Sequence, residues 1–309
     1  MNQQYLTETQ ETLRKIVDTN TYEKVVENTP EDWTTVITPK SKLFDLQLKE
    51  IWNYRDLAVL FVRRDFVATY KQTILGPIWH IIQPIFTTVM FLLVFGKIAN
   101  IPTNGIHPVL FYMSGIALWN YFAACLNGTS STFVSNAGIF GKVYFPRLII
   151  PLSVVVSNIV RFGIQFLLLV VMMVFYYFKG FPIYFGASWL LVPVLLLIMA
   201  GLGLGLGIII SSLTTKYRDF AVLIGFGVQL LMYATPIAYP LSFLEDKSYA
   251  WVAKCNPLTG VVEAFKYALL RGGVLDFALL GYSIGFMVVV LFIGLLIFSK
   301  VEKNFMDTV

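Results

Sequence analysis

Charge is divided along this chain in a way that leaves few options for its fold. Of the 41 Asp, Glu, Lys and Arg residues, 21 precede Gly76, and the other 20 are spread over everything that follows. That long remainder lifts the hydrophobic share of the 309 residues to 57% and the mean hydropathy to +0.72, far from the composition of a soluble domain. The polar head belongs in water and the rest in lipid. A hydrocarbon core about 30 Å thick is crossed by about 20 apolar residues of helix. Six segments qualify: 78–98, 109–126, 148–178, 189–213, 220–239 and 277–299. The third is long enough to tilt or to project from the bilayer. The expected fold class is all-α and integral to the membrane, with six transmembrane helices.

Lys and Arg near the span ends set the orientation. With the N-terminus in the cytoplasm, the inside flanks carry Arg63, Arg64, Lys71, Lys142, Arg147, Lys216, Arg218, Lys300 and Lys303, whereas the short outside connections carry only Lys97 and Lys179. The long outside segment 240–276 adds further lysines and an arginine, but long loops weigh less. Both termini are expected inside, in a multi-pass protein of the cytoplasmic membrane. Residues 1–44 show no basic region followed by an apolar one, so no cleavable signal peptide is expected. Three regions follow: a polar extension at 1–34, a cytoplasmic or interfacial segment at 35–77, and a transmembrane domain at 78–309. Cys125 falls near the inner end of the second span and Cys255 in the outside loop, which excludes an intrachain disulfide; no metal or redox site is indicated. The net charge of +5 does not argue for nucleic acid, because position matters more than sum.

Before the first span runs a charged, helix-like stretch. Val59, Val62, Phe66 and Tyr70 stack along one face, and Arg64 and Lys71 lie roughly opposite, with Arg63 beside them. An apolar face next to a basic one suits a helix lying at the membrane surface, either as a simple anchor or as a contact for a partner. Gly76-Pro77 then ends it and turns the chain into the bilayer.

The motif that most invites over-reading is GLGLGLG at 201–207. A dinucleotide fingerprint needs its third glycine at the position of Leu206, and a preceding strand. On a helix, Gly201 with Gly205 and Gly203 with Gly207 are instead two overlapping small-residue pairs that permit close helix contact. No phosphate-binding loop of the type G-x-x-x-x-G-K-[ST] occurs in the sequence; if ATP drives this protein, another polypeptide binds it. The spans hold no Asp or Glu, which argues against a proton-driven carrier and against a membrane enzyme such as a glycosyl- or acyltransferase. His80 and His107 are read as interfacial residues. Apart from Lys97 at the very end of the first, Arg161 is the one charge inside a span. It is either a contact for an anionic substrate group or a residue snorkelling to the cytoplasmic surface.

Several stretches taken together resemble a known family: RDLAVLFVRRDFVATYKQTILGPIWHIIQPI (55–85), GKVYFPRLIIPLS (141–153), TKYRDF (215–220), TPIAYPLSF (235–243), NPLTGVVEAFKYALLRG (256–272) and SKVEKNFMDTV (299–309). They occur in the order typical of polysaccharide-exporting ABC transporter permeases, the type-2 membrane subunits of O-antigen, teichoic acid and capsule exporters. The resemblance covers about residues 35–309. It implies a homodimer of six-span subunits, two separate ATP-binding cassette subunits that hold ATP and Mg, and a lipid-linked polysaccharide as cargo in a lipid membrane. It also implies an amphipathic interface helix before the first span, and short helices that re-enter from outside after Pro236, before the last span. The loop with Asn136, Phe140, Lys142, Tyr144 and Arg147 would couple to the ATPase, with Lys216, Tyr217, Arg218 and Asp219 as a second contact. A conduit between two copies would present aromatics, for which Phe91, Tyr112, Trp119 and Tyr233 are candidates, with Arg161 as a polar one. A type-2 permease for drugs or lipids is the alternative.

Overall fold

Residue 235 decides how many full-length spans this chain can have. Thr235 stands before Pro236, and its backbone is extended (φ −97°, ψ 140°), as steric clash with the proline ring requires. The expected span at 220–239 is therefore helical only over Phe220–Ala234, 15 residues or roughly 22 Å. In the computed structural model, which describes residues 48–309 apart from 72–75, 144, 184–185, 216, 218, 245–246, 249 and 305–309, five stretches are long and apolar enough to cross a membrane. These are Trp79–Ile98, Pro108–Ser130, Ile149–Phe178, Ala187–Thr214 and Phe277–Glu302. The extension at 1–34 lies outside the described residues. Among the described residues there is no strand, and all of them fall within one unit, Leu46–Val309.

In chain order, α1 is Leu48–Asn53 and α2 is Arg55–Tyr70. Helix α3, Trp79–Phe91, contains Pro84 and widens into a π-helical stretch, Leu92–Ile98. Proline removes one backbone donor from the ladder, and such irregularities are the usual sources of kinks. Then come α4 (Pro108–Ser130), α5 (Thr132–Phe140), α6 (Ile149–Phe178), α7 (Leu191–Thr214) and α8 (Phe220–Ala234). Two short helices, α9 (Ala250–Cys255) and α10 (Pro257–Leu270), precede α11 (Phe277–Asn304).

Helix α4 is the axis of the bundle and packs against α6 and α7, while α7 also packs against α11. The glycine run makes the close approach possible on both sides. A methyl group at Gly203 would stand 2.8 Å from the Cys125 Cβ of α4, and one at Gly207 would overlap Thr129. On the other side, a methyl at Gly205 would meet the Leu291 backbone nitrogen at 3.0 Å, and one at Gly201 would press on Met287, both in α11. Small residues thus let three backbones approach inside one subunit, where dispersion replaces the hydrophobic driving force that lipid cannot supply.

The bundle has two chemically distinct ends. At the first, Phe61 of α2, Phe133 of α5, Phe145 and Phe298 of α11 share one buried cluster, with Phe133 and Phe298 stacked at 4.7 Å. At the second, Asn104 donates to Ser242 at 3.0 Å and the Ser188 hydroxyl donates to the Ala268 carbonyl at 2.8 Å. Helix α8 joins the two. Thr214, just before it, bonds the Ser130 carbonyl at the first end, while Thr235, just after it, accepts from Asn256 at 2.8 Å near the second.

The interface helix docks by a different face from the one its spacing suggests. Tyr54, Leu57, Ala58 and Phe61 pack into the first-end cluster, and Phe61 alone among them is fully buried. Val59 and Phe66 are exposed, and the Tyr70 side chain lies outside the described residues. Two apolar stripes compete on this helix, and the one that meets Phe145 at 5.7 Å wins.

Candidate functional site

Three helix faces carry amides, and one of them a cation. On α6, Asn158, Arg161 and Gln165 recur at helical spacing, as do Asn120 and Asn127 on α4 and His80 and Gln83 on α3. In the fold these three faces meet. They line a cleft of roughly 250 Å³ between α3, α4 and α6, with Tyr121 and Phe162 completing the wall. Asn158 and Gln165 are almost wholly buried. The Arg161 guanidinium donates to the Asn158 carboxamide oxygen at 3.1 Å, and the Asn120 amide donates to the Gln165 carboxamide oxygen at 3.1 Å. Among the described residues, the lining therefore holds one permanent cation, several amides and no carboxylate. A charge within a span is costly unless it faces protein or a polar cavity, and Arg161 faces such a cavity.

A second polar centre was not foreseen. Helix α10, in the outside segment expected to re-enter as short helices, is buried along most of its length and carries Glu263 and Lys266. Their side chains form an ion pair at 3.7 Å, 2% and 0% exposed. The Lys266 ammonium donates to the Pro236 carbonyl at 2.5 Å and sits 3.7 Å from the Phe111 ring centre. Glu263 accepts from the Leu241 and Val274 amides, each at 3.3 Å. Asn256 caps α10 by accepting from the Leu258 amide at 3.0 Å, with Pro257 at the first helical position, as N-termini favour. One ion pair thus ties the segment after α8, the loop before α11 and α4 together. The signal in the sequence was an i, i+3 acid–base pair inside an otherwise apolar helical pattern.

The expected coupling loop is helical earlier than expected, over Thr132–Phe140. Phe140 is buried under the Arg147 guanidinium, 5.3 Å above its ring, so it anchors the loop and offers no surface to a partner. Arg147 donates to the Glu302 backbone carbonyl at 2.8 Å, and its amide donates to the Glu302 carboxylate at 3.1 Å. Glu302, Phe61 and Phe298 are residues the sequence reading missed. Asn136 turns back to the Thr132 carbonyl. The outward residues include Val134, Ser135, Lys142 and Val143. Tyr217 and Asp219 are exposed beyond α7; Tyr144, Lys216 and Arg218 lie outside the described residues. On α2, Arg63 and Arg64 are exposed, and Lys71 follows; Arg64 is held by Asp65 at 2.9 Å.

The aromatic candidates separate. Tyr112 and Trp119 lie in the packed core of the subunit, 0% and 4% exposed, and Phe91 is half-buried against Tyr112 at 6.1 Å. These two core rings serve packing and present nothing to a passage between copies. Tyr233, on α8, is 52% exposed. No residue of α8 is buried.

Comparison with known proteins bears on this architecture. Residues 57–270 match the family described as ABC-2 type transporter. The O-antigen export system permease protein RfbA of Klebsiella pneumoniae is 28% identical over 255 residues, which covers 82% of this chain and 94% of that protein. RfbA of Myxococcus xanthus is 26% identical over 267 residues, covering 85% and 98%. The polysialic acid transport protein KpsM of Escherichia coli is 20% identical over 240 residues, covering 78% and 91%. The family match extends from the interface helix to the end of the buried α10, well over half of the sequence, and on that ground this chain belongs to the ABC-2 type transporter family.

Proposed function

We propose that this chain is the membrane-spanning permease subunit of an ATP-driven exporter that carries a lipid-linked polysaccharide across the cytoplasmic membrane. The observation that carries the reading is similarity over nearly the full length of permeases named for O-antigen export. The absence of a phosphate-binding loop from the sequence supports a separate ATP-binding cassette subunit that holds ATP and Mg. The first end of the bundle is the cytoplasmic one, since Arg63, Arg64, Lys142 and Arg147 gather there. Helix α8 is the sixth crossing, short in itself and completed by the segment after Thr235. Both termini then lie inside. Helices α9 and α10 re-enter from the outer face, and the Glu263–Lys266 pair locks them.

Two copies act together. Val222, Leu223, Phe226, Leu230 and Tyr233 of α8 are 52–80% exposed, an apolar surface that a second copy or lipid must cover. A conduit between copies would run past Tyr233 and this face. The ATPase would bear on the exposed Val134, Lys142 and Val143, on Tyr217 and Asp219, and on the exposed side of α2. Co-expression with an ATP-binding cassette subunit tests the reading. The two should co-purify as a complex whose ATP-dependent export of polysaccharide requires both, and an export-competent preparation of either alone would refute it.

A further inference from the structure

The cleft between α3, α4 and α6 is too small to pass a glycan and too polar to be packing. Its roughly 250 Å³ falls below the ~300–1,000 Å³ that drug-sized ligands occupy, so it admits one compact group. Its chemistry selects that group's charge. Arg161 contributes a guanidinium fork, which matches the oxygens of a phosphate, and amides of Asn120, Asn127, Asn158 and Gln165 line the cleft around it. A second observation points into the same place. Tyr121 lines the cleft, is 2% exposed, and its buried hydroxyl has no oxygen or nitrogen partner among the described residues, only the weakly hydrogen-bonding Cys125 thiol beside it. Buried hydroxyls are nearly always satisfied, so an oxygen-rich ligand would complete this site.

Depth identifies where such a ligand comes from. Arg161 lies 12 residues into α6, roughly 18 Å from its start. Helix α6 has 30 residues, roughly 45 Å, against a hydrocarbon core of about 30 Å. The start of α6 is held by α2 at the basic end, and if the excess projects there, Arg161 lies only a few ångströms below the headgroup level. Asn127, an exposed lining residue near the end of α4, and His80, near the start of α3, lie on the side of the cleft nearer the basic end.

We infer that this cleft holds the phosphate-bearing headgroup of a membrane lipid, with Arg161 as its cation and Asn120, Asn127, Asn158, Gln165 and Tyr121 as its neutral partners. This rests on the permease reading for the membrane's orientation and deepens it. The shared chemistry, a phosphate ester on a long apolar chain, belongs both to a polyprenyl diphosphate that carries glycan and to an anionic phospholipid. The two differ in charge and in tail.

The test is lipid retention by the full chain, purified, delipidated and studied by native mass spectrometry with added undecaprenyl diphosphate, phosphatidylglycerol, undecaprenol or inorganic diphosphate. One of the two phosphate lipids should be retained at least tenfold over undecaprenol, and the better of the two names the source. Arg161→Gln should lower retention at least tenfold and Arg161→Lys should restore part of it. Asn127→Asp, which changes an exposed amide and spares the packed core, should weaken it by charge repulsion even if Arg161→Gln folds poorly. Retention of neither lipid, equal retention by wild type and both charge variants, or binding of inorganic diphosphate as tightly as its lipid form would overturn the inference. The assay needs neither ATPase nor polymer. A negative result therefore condemns the cleft and leaves the permease reading to its own test.

Discussion

Removing one partner of the Glu263–Lys266 pair is the severest single perturbation the fold offers. Both side chains are essentially without solvent contact, 2% and 0% exposed. In Glu263→Met the Lys266 ammonium would keep only the Pro236 carbonyl and the face of Phe111, while the Leu241 and Val274 amides would lose their acceptor. Breaking a buried pair in this way costs about 3–5 kcal/mol. At ~2 °C per kcal/mol for a body of this size, the apparent melting temperature in detergent should fall on the order of 6–10 °C. The double variant Glu263→Met/Lys266→Met removes both charges and should recover most of that loss, because well-packed apolar replacements of buried pairs are often neutral. Thermal unfolding of the four proteins in one cycle gives the interaction energy directly. If Glu263→Met melts within about 2 °C of wild type, or the double variant is as unstable as the single, the pair is not what locks α10 in place.

Phe61→Ala should undock α2, costing about 3 kcal/mol and raising the rate of proteolysis near residue 70; cleavage at the wild-type rate would mean that α2 is held elsewhere. Gly203→Ala drives a methyl against the Cys125 Cβ at 2.8 Å and should destabilise by about 1–3 kcal/mol. Gly285→Ala meets nothing among the described residues within 4 Å and should be near neutral, so equal melting of the two would refute the packing account. Val143→Asp should weaken co-purification of the ATPase subunit with no change in melting temperature, whereas Phe140→Ala should lower the melting temperature first. His107, held below its ordinary 6.5 by burial and then by Lys179, is neutral in the fold. Its contribution is present above pH 6.5 and is lost as pH falls through the lowered value, so acidification should destabilise wild type more than His107→Phe, as read by melting curves at pH 7.5 and 5.5.

The long helices were legible because lipid imposes one simple requirement on them. The third span, expected at 148–178, is α6 at Ile149–Phe178, since nothing but hydrophobic length defines it. Helix faces were harder to read. On α2, the stripes of Val59 with Phe66 and of Leu57 with Phe61 are equally apolar, and only the tertiary partner Phe145 chooses between them. Short helices were expected after Pro236, but the burial of α10 was not legible, because its charges and flanking prolines and glycines look like surface chemistry when each charge has its partner three residues away. The cleft was half visible. Arg161 stood out as a charge in a span, but the amides around it come from three helices far apart in sequence. Tyr112 and Trp119 could not be assigned a direction without knowing how α4 is rotated, and its rotation is set by the contacts of Gly203 and Gly207 with that helix.

The most direct test of the account is transport by the reconstituted complex. The chain and its ATP-binding cassette subunit, placed in proteoliposomes with lipid-linked polysaccharide on one face, should move polymer to the other face only with hydrolysable ATP, and the chain alone should bind no ATP. Polymer movement without the second subunit, or a stable complex that hydrolyses ATP and leaves the polysaccharide where it began, would contradict the account.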